Sequence, residues 1–334
     1  MFVLGLQGSP RKKGNSDFLL NRFLKACENR GARTETIHLD KLNIQPCREL
    51  VVCEKKGFCP IKDEMEPRIY GLIRRADVVV LASPVFFYNV SAQAKILIDR
   101  CQMFWGRRYK MKLADPDAGS RQGVLLAAGA SSGKRLFDGV NLTAQYFFDA
   151  ISARFAEALT YKKVEAAGAV ASVPGVEDDI QQAADRVMDA LLNRPTLIFV
   201  SRKDACRSQM AAAYAKTASK GNIRVLSAGT HPAEDISANT RDFLAEQGLD
   251  IKYHKPRDLN DLIKDAAMEK FMDRQSTLVV TMVPDGVSMP GAEIQNWDLH
   301  ECDDGDSVKS LGNQIRHRVE NLVSEFHGNY GDKN

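Results

Sequence analysis

The chain has 334 residues, 44% of them hydrophobic and 27% charged, with a formal net charge of +3. This length allows two ordinary domains, and the nearly balanced charge gives no electrostatic footprint for nucleic acid or an anionic membrane. No apolar run approaches the roughly 20 residues that cross a bilayer. Met1–Leu6 reads as a strand without signal-peptide features, so we expect a cytoplasmic protein. The odd count of seven cysteines argues against a disulfide framework.

The first part of the chain alternates strand and helix patterns, which predicts a parallel sheet with crossover helices. A helix is predicted over Ser16–Gly31 from apolar residues at helical spacing. The predicted strands are Phe2–Leu6, Arg33–His38, Asp77–Ala82, Gln122–Ala128 and Leu159–Glu165. Such a doubly wound sheet leaves a ligand crevice at the carboxyl ends of its strands. Two interruptions, Lys41–Asp63 and Trp105–Arg121, are too long for plain connections, which favours function or oligomer contacts.

A second alternating series begins where the helix Val176–Leu192 ends ahead of Pro195. We therefore place a boundary at about 193 and predict two α/β domains, residues 1–193 and 195–334. The predicted elements of the second domain are strand Thr196–Val200, helix Arg207–Lys220, strand Ile223–Ser227, helix Ala238–Gln247, strand Thr277–Thr281 and helix Val308–Phe326. This series also predicts a doubly wound parallel sheet.

A polar loop, Gly8–Ser16, joins the first strand to the first helix of the first domain. Amides at a helix N-terminus bind phosphate, and Ser9, Asn15 and Ser16 add donors while Arg11 adds charge. The alternative is an ordinary capped loop with Ser16 as the cap. The position directly after the first strand favours the phosphate site.

An aromatic loop follows the third strand and is a candidate wall for a flat ring. Its residues are Pro84, Val85, Phe86, Phe87, Tyr88, Asn89 and Ser91. A flavin ring needs apolar walls and a few directed amides, whereas an aromatic triplet taken alone is more often packing. The turn around Gly129, after the fourth strand, is placed to line the other side of the ring or to serve as a plain turn.

These loops resemble the NADPH-dependent FMN reductase and iron–sulfur flavoprotein family. The matching residues are Gly-Ser-Pro-Arg-x-x-Gly-Asn-Ser at 8–16 and Ser-Pro-Val-Phe-Phe-x-x-Val-Ser-Ala-Gln-x-Lys-x-x-x-Asp-Arg at 83–100. The resemblance covers about residues 1–165 and implies a flavodoxin-like domain. It implies FMN held by its phosphate at 8–16, with its ring at 84–91. It also implies hydride from NAD(P)H or electrons from a redox protein, and a homodimer or homotetramer. Because the cofactor carries the chemistry, we predict no catalytic side chain.

Three cysteines, Cys47, Cys53 and Cys59, lie in the long connection after the second strand. The resemblance implies a compact four-cysteine run there that binds a [4Fe-4S] cluster, but Leu50 stands at the second ligand position. Four thiolates are the usual shell of such a cluster, so three need a fourth ligand from elsewhere. A zinc site has the same deficit. The sequence favours three free thiols in a degenerate loop over a bound cluster.

The second domain carries Ser201-Arg202-Lys203-Asp204-Ala205-Cys206-Arg207-Ser208 between a strand and a helix. With Ser-Ala-Gly-Thr at 227–230, this resembles the low-molecular-weight protein tyrosine phosphatase and arsenate reductase family over roughly 196–327. That family attacks its substrate with a thiolate six residues before the arginine, where this chain has Ser201. The usual Gly-Asn of the loop is Lys203-Asp204, and the usual Asp-Pro of the acid loop is Glu301-Cys302. We therefore expect Ser201, Arg207 and Ser208 to form a degenerate anion loop.

The combined expectation is an FMN-dependent, NAD(P)H-dependent oxidoreductase fused to an inactive phosphatase-like domain. The first alternative is a non-enzymatic electron carrier or redox sensor of the iron–sulfur flavoprotein type. An active phosphatase or arsenate reductase is the less favoured third.

Overall fold

The computed structural model describes residues 1–264, 277–284, 286–301 and 305–330. The chain divides into two compact units, unit 1 comprising Met1–Lys112 and Arg121–Ala190, and unit 2 comprising Leu113–Ser120 and Leu191–Asn334. Each unit has its own parallel sheet with helices, which confirms the predicted α/β class. Residues 113–120 lie within the predicted first domain in sequence but group with unit 2. None of the described helices combines the length and apolar composition of a membrane span.

Unit 1 contains five parallel strands in the order β2-β1-β3-β4-β5. They are β1 Phe2–Gln7, β2 Arg33–His38, β3 Val78–Pro84, β4 Gln122–Gly129 and β5 Arg154–Lys162. Strands β1, β3 and β4 are buried almost throughout, as expected for central strands covered on both faces. The strand order changes direction between β1 and β3, so the loops after these two strands flank a crevice.

The helices of unit 1 are α1 Asn15–Asn29, α2 Val52–Lys56, α3 Tyr70–Arg75, α4 Ala92–Arg100, α5 Gln102–Trp105, α6 Asp138–Ala150 and α7 Val176–Leu192. Helix α1 buries one apolar face that includes Leu20 and Phe23, which confirms the predicted periodicity. Its N-cap is Gly14 rather than Ser16, and no side chain caps it. A π-helical turn, Gly106–Lys110, continues α5.

Unit 2 contains four parallel strands in the order β7-β6-β8-β9. They are β6 Thr196–Ser201, β7 Arg224–Gly229, β8 Thr277–Thr281 and β9 Glu293–Asn296. Its helices are α8 Arg207–Ser219, α9 Ala238–Glu246, α10 Leu259–Ile263 and α11 Gly305–Tyr330. Phe199 of β6 and Trp297 pack with ring centroids 5.9 Å apart, beside the buried face of α11. This core holds the carboxyl end of β6 in place.

Two strands differ from the sequence prediction. Strand β5 starts at Arg154, five residues before the predicted start, and ends at Lys162. It is an edge strand of mixed exposure, so its first residues lack the apolar run that reveals a buried strand. Strand β9 was not predicted, because all four of its residues are exposed at the edge of the sheet.

The segment Leu113–Ser120 joins unit 2 through backbone hydrogen bonds and an ion pair. The Ala114 amide donates to the Gly248 carbonyl at 2.7 Å, and the Asp250 amide donates to the Ala114 carbonyl at 2.7 Å. Lys216 of α8 pairs with Asp117 at 2.9 Å. Residues 113–120 of the long connection 105–121 are therefore part of the structure of unit 2.

Candidate functional site

The phosphate-loop candidate lies between β1 and α1 at the crevice of unit 1. Because α1 has no side-chain cap, its first-turn amides are available to an anion. The Gly8 amide donates to the Ala82 carbonyl of β3 at 2.7 Å. A Cβ at Gly8 would lie 3.0 Å from both that carbonyl oxygen and the Ala94 Cβ, so this position favours glycine. The Ser9 hydroxyl accepts the Arg11 amide at 3.2 Å and shapes the turn.

Two predicted phosphate ligands already have partners elsewhere in unit 1. Both amide hydrogens of Asn15 are donated, to the carbonyls of Val164 and Ala166 at 3.1 Å each, and its oxygen accepts from the Val170 amide. The Arg11 guanidinium donates to the Glu165 carbonyl at 3.2 Å but is exposed. Asn15 therefore ties the chain after β5 to the start of α1. Ser16 is 2% exposed and lies beneath the loop.

The aromatic loop forms a tight turn with backbone strain at its tip. Phe86 and Asn89 exchange backbone hydrogen bonds of 2.9 and 3.0 Å. Between them, Phe87 and Tyr88 have φ values of +48° and +62°, as in a type I′ turn that normally selects Asn-Gly. Phe87 has a relative exposure of 103% and Tyr88 of 52%. Strained, exposed aromatic residues do not stabilise the fold, and such strain is concentrated at ligand sites.

The other residues of this loop hold it in position. Pro84 ends β3, and the Val85 amide donates to the Ala128 carbonyl at 2.9 Å. The Asn89 carboxamide oxygen accepts from the Val90 amide and from the Thr143 hydroxyl, at 2.8 and 2.9 Å. These contacts fix the flanks of the turn and leave its tip exposed.

Ser91 connects the aromatic loop to the phosphate loop. It is fully buried, and its hydroxyl donates to the Gly8 carbonyl at 2.5 Å. The same oxygen accepts the Ala94 amide at 3.3 Å and so caps α4. The structure thus brings the two predicted flavin elements together through one side chain.

The turn after β4 lies beside the tip of the aromatic loop. A Cβ added at Gly133 would lie 3.2 Å from the Tyr88 hydroxyl, and one at Gly129 would lie 2.9 Å from Leu136. A cavity of about 520 Å³ beside Tyr88 is also lined by Lys134 and Arg135. Sequence reasoning missed these two cations, since no motif marks them. Arg135 pairs with Asp138 of the same cavity at 2.7 Å, so Lys134 carries the positive charge that faces this cavity without such a partner among the residues that line it.

The three cysteines of the long connection line one cavity of about 920 Å³ together with Leu50. Burial raises the pKa of Cys53, and the nearby Cys59 and Cys47 thiols raise it further. Within the described part of the chain their sulfur atoms do not all lie within 4.8 Å of one another. Sulfurs at about 2.3 Å from a single zinc ion would be roughly 3.8 Å apart. This spacing does not suit a single zinc ion, and three thiols are one fewer than the four that a [4Fe-4S] cluster usually takes.

Other cysteines differ from these three. Burial raises the pKa of both Cys27 and Cys101 to about 12, so these two thiols serve as packing residues. Cys206 of unit 2 is disulfide-bonded, while the other described cysteines are free.

In unit 2 the degenerate anion loop is organised around a buried carboxylate. The hydroxyls of Ser201 and Ser208 are 2.8 Å apart, and the Ser208 hydroxyl donates to Asp204 at 2.7 Å. Asp204 also accepts from the Ser227 hydroxyl and the Arg257 amide, at 3.3 and 2.9 Å. Burial raises its pKa to about 6, despite these hydrogen bonds. The sequence predicts an anionic residue beside the loop, but the hydrogen bonds from Ser208, Ser227 and the Arg257 amide leave no sequence signal.

The arginine of the anion loop is already bonded within unit 2. Arg207 is 7% exposed and donates to the Leu299 carbonyl at 2.8 Å. Its second terminal nitrogen lies 3.4 Å from Glu301. Cys302, the other half of the predicted acid-loop substitution, lies outside the described residues. The partners that the structure gives the Arg207 guanidinium are therefore a backbone carbonyl and Glu301.

A cluster of metal-ligand type in unit 2 has another explanation. Asp115, Asp117 and His254 offer ligand atoms within 4.8 Å of one another. Asp117 pairs with Lys216 at 2.9 Å and lies 3.5 Å from His254. The lysine supplies the positive charge that a cation would otherwise bring.

Comparisons with known proteins match each unit separately. Residues 1–138 match the family of NADPH-dependent FMN reductases, and residues 196–282 match the low molecular weight phosphotyrosine protein phosphatases. An iron-sulfur flavoprotein of Archaeoglobus fulgidus is 39% identical over 112 residues, 34% of this chain and 50% of the relative. One of Methanosarcina thermophila is 31% identical over 131 residues, 39% of this chain and 64% of the relative. The chain thus spans about half to two thirds of these relatives.

For unit 2, a glutaredoxin arsenate reductase of Synechocystis is 29% identical over 138 residues, 39% of this chain and 97% of that protein. Among solved structures, an apo NADH:FMN oxidoreductase has a TM-score of 0.40 at 14% identity, covering 56% of this chain and 87% of its own. The first unit therefore resembles the NADPH-dependent FMN reductases and iron–sulfur flavoproteins, and the second resembles the low-molecular-weight phosphotyrosine protein phosphatases and arsenate reductases.

Proposed function

We propose that the chain is an FMN-dependent oxidoreductase that takes electrons from NAD(P)H through unit 1. The observation that carries this proposal is the exposed, strained Phe87-Tyr88 turn, fixed by Ser91 to an uncapped helix N-terminus. A ring wall and a phosphate site joined in this way suit one ligand with both a flat ring and a phosphate. The family match over residues 1–138 supports FMN as that ligand.

Different residues of unit 1 would bind the phosphate of FMN, contact its ring and position these two sets. The first-turn amides of α1, with Ser9 and Arg11, would bind the phosphate, and Phe87 and Tyr88 would cover the ring. Asn15, Asn89 and Ser91 act as positioning residues, because their side chains bond to the protein. When bound, FMN supplies the hydride and electron transfer chemistry.

Steady-state oxidation of NADPH under anaerobic conditions tests the enzymatic proposal. The chain is purified with its flavin, and turnover is measured with added FMN or a quinone as the acceptor. We expect sustained turnover. If the protein is instead an electron carrier or redox sensor, NADPH oxidation should stop after at most one reduction of the bound flavin. Protein that lacks flavin and does not bind added FMN contradicts both.

We further propose that unit 2 is not catalytic. Ser201 is 3% exposed and has no thiolate, and Arg207 is bonded to Leu299 and Glu301. The test is hydrolysis of an aryl phosphate and reduction of arsenate by the unmodified chain. Activity that disappears in Arg207→Ala would establish the less favoured alternative, an active phosphatase or arsenate reductase.

The assembly and the location of the protein stay predictions. The resemblance implies a homodimer or homotetramer, and the exposed Phe87 is a side chain that a second subunit would cover together with the ring. Sedimentation of the flavin-loaded protein measures this directly. The cytoplasmic location is tested by cell fractionation.

A further inference from the structure

The large cavity of unit 1 is lined by exposed apolar and aromatic side chains. Its volume of about 920 Å³ lies within the range of about 300–1,000 Å³ that small-molecule sites have. Five of the ten large apolar or aromatic side chains that are exposed among the described residues line it, namely Leu50, Val51, Tyr109, Leu142 and Tyr146. Clustered apolar exposure of this kind marks a binding surface.

Three aromatic rings of this cavity favour a ligand that is itself planar and aromatic. Trp105 and Tyr109 have ring centroids 5.6 Å apart at an interplanar angle of 41°, and Tyr146 of α6 lines the same cavity with an exposure of 66%. Offset and edge-to-face contacts between rings add to the free energy of apolar burial. Among the described residues the Tyr146 hydroxyl has no hydrogen-bond partner, so it can donate to a carbonyl oxygen of the ligand.

The charged side chains of the cavity favour a neutral ligand. Four carboxylates and two cations line it, namely Glu49, Glu54, Asp99, Asp149, Arg48 and Lys95. This excess of negative charge disfavours an anion. A cation is not required either, because three of the carboxylates already accept hydrogen bonds. Asp149 accepts from the Tyr109 hydroxyl at 2.8 Å, Asp99 accepts from Lys95 at 2.6 Å, and Glu54 accepts from the Gln102 amide at 3.4 Å.

Helix α6 places this cavity beside the aromatic loop. A Cβ at Gly139, in the first turn of α6, would clash with the Tyr88 carbonyl oxygen, so the helix lies directly against the strained turn. Thr143, one turn later, lines the cavity and donates to the Asn89 carboxamide oxygen at 2.9 Å. None of the residues that line the cavity belongs to the phosphate loop or to the aromatic loop. The cavity is therefore a neighbour of the flavin elements and not a part of them.

From these observations we propose that the cavity binds a neutral, planar polycyclic aromatic compound that carries a ring carbonyl group. The aromatic side chains would contact its rings, and the Tyr146 hydroxyl would donate to its carbonyl oxygen. A concave site whose carboxylates are bonded within the subunit suits a small molecule better than a second copy of the chain. The inference goes beyond the proposed function and does not depend on it, because the cavity is separate from the FMN site.

Binding is measured through Trp105, which lines the cavity, in a full-length Trp297→Phe background that leaves one tryptophan. The neutral probe is 2-(hydroxymethyl)anthraquinone and the anionic probe is anthraquinone-2-sulfonate, since neither adds to a thiol. Tyr146→Ala removes a ring of the cavity, and Tyr146→Phe removes the hydroxyl alone. Phe58→Ala is the matched control, because Phe58 is an exposed aromatic residue of the same long connection that does not line the cavity.

We expect the neutral probe to quench Trp105 fluorescence to saturation at one site per chain. The anionic probe should bind about tenfold more weakly, because the carboxylates repel it. Tyr146→Ala should weaken binding of the neutral probe about tenfold and Tyr146→Phe about fivefold, whereas Phe58→Ala should leave it unchanged.

Several results overturn the proposal: quenching that does not saturate, equal affinity for the two probes, and unchanged affinity in either Tyr146 variant. Displacement of the neutral probe by FMN also overturns it, because the probe would then occupy the flavin site. Affinity that falls as the protein concentration rises would show that a second copy of the chain covers the cavity instead. Protein that binds the neutral probe as expected but does not bind FMN contradicts the proposed function alone.

Discussion

Asp204 is a buried carboxyl group that dominates the electrostatics of the anion loop in unit 2. Its φ of +48° lies in the left-handed region, which Asn and Asp tolerate better than most residues. The phosphatase and arsenate reductase loops that this loop resembles usually have Asn in this position, and Asn carries no charge. Burial favours the protonated carboxyl and raises its pKa to about 6, so a neutral pH forces a buried charge on unit 2.

The stability of unit 2 should therefore depend on pH through this carboxyl. Since its folded pKa is raised, its contribution is most favourable below about pH 4 and is lost as the pH rises through about 6, by up to roughly 3 kcal/mol. Asp204→Asn should remove this dependence and stabilise unit 2 at pH 7, since an amide can donate to Ser208 and accept from the Arg257 amide. Denaturation followed by Trp297 in a Trp105→Phe background measures it, because the chain has two tryptophans.

Asp235→Asn is the control for this experiment. At Asp235 burial is the largest single influence and raises the pKa, but the hydrogen bonds from Arg241 and the Ile236 amide and the charges of Arg241 and Lys255 together outweigh it, so the pKa is lowered. Its removal should change the pH dependence in the opposite direction. If Asp204→Asn leaves the pH dependence of the stability of unit 2 unchanged, burial does not raise the pKa of Asp204.

Phe87 is expected to lower the stability of unit 1, because its left-handed backbone conformation is unfavourable for a residue other than glycine. Phe87→Gly removes a left-handed non-glycine residue, which should stabilise unit 1 by about 1 kcal/mol. It should also weaken FMN binding by about tenfold, because a ring-stacking contact of roughly 1.5 kcal/mol is lost. Urea denaturation of the flavin-free protein and FMN titration measure the two effects.

Lys112→Gly is the matched control, since Lys112 has a φ of +59° outside the aromatic loop. It should stabilise unit 1 without a change in FMN affinity. Unchanged FMN affinity in Phe87→Gly would remove the proposed role of the turn as the ring wall.

At the scale of elements, Ser91 combines a helix cap with a link between two loops. Ser91→Ala should destabilise unit 1 by about 1–3 kcal/mol, because the α4 cap is lost and the Gly8 carbonyl loses its partner. FMN affinity should fall as well, since the ring wall and the phosphate loop are no longer joined. Trp105 fluorescence and flavin titration provide the measurements.

Asp258→Ala tests whether the loss of any cap would have the same result. Asp258 caps α10 of unit 2 by accepting the Asn260 amide at 2.7 Å. This variant should destabilise unit 2 and leave FMN binding intact. An equal loss of FMN affinity in both variants would show that Ser91 has no specific linking role.

How much the sequence predicts also depends on the kind of element. Helix α7 and strand β8 have the predicted bounds, because strong amphipathic or buried apolar patterns mark them. The edge strand β9 has polar, exposed residues and no such pattern. The candidate site residues are similar: motif position makes Ser9 and Phe87 candidates, whereas the hydrogen-bond partners of Asn15 and Asp204 lie in distant segments. Long-range pairing of this kind leaves no local signal.

The whole molecule has a second unit assembled from two separate stretches of chain. Ala114→Pro removes an amide donor that bonds to the Gly248 carbonyl, so it should destabilise unit 2 by about 1–3 kcal/mol. Unit 1, reported by Trp105, should unfold as before, although residue 114 lies between two of its elements in sequence. A loss confined to unit 1 would contradict the assignment of residues 113–120 to unit 2.

Because unit 2 contains two separate stretches of chain, it cannot be expressed whole from one continuous part of the gene that excludes the first stretch. A fragment that starts at residue 191 lacks the eight residues Leu113–Ser120 that belong to the same folded unit. Translation of the second half alone would thus give an incomplete body, and a protease nick near residue 193 should leave two pieces that co-elute until denaturant is added. We therefore expect that the second half of the gene encodes a complete unit 2 only when the segment for residues 113–120 is present as well.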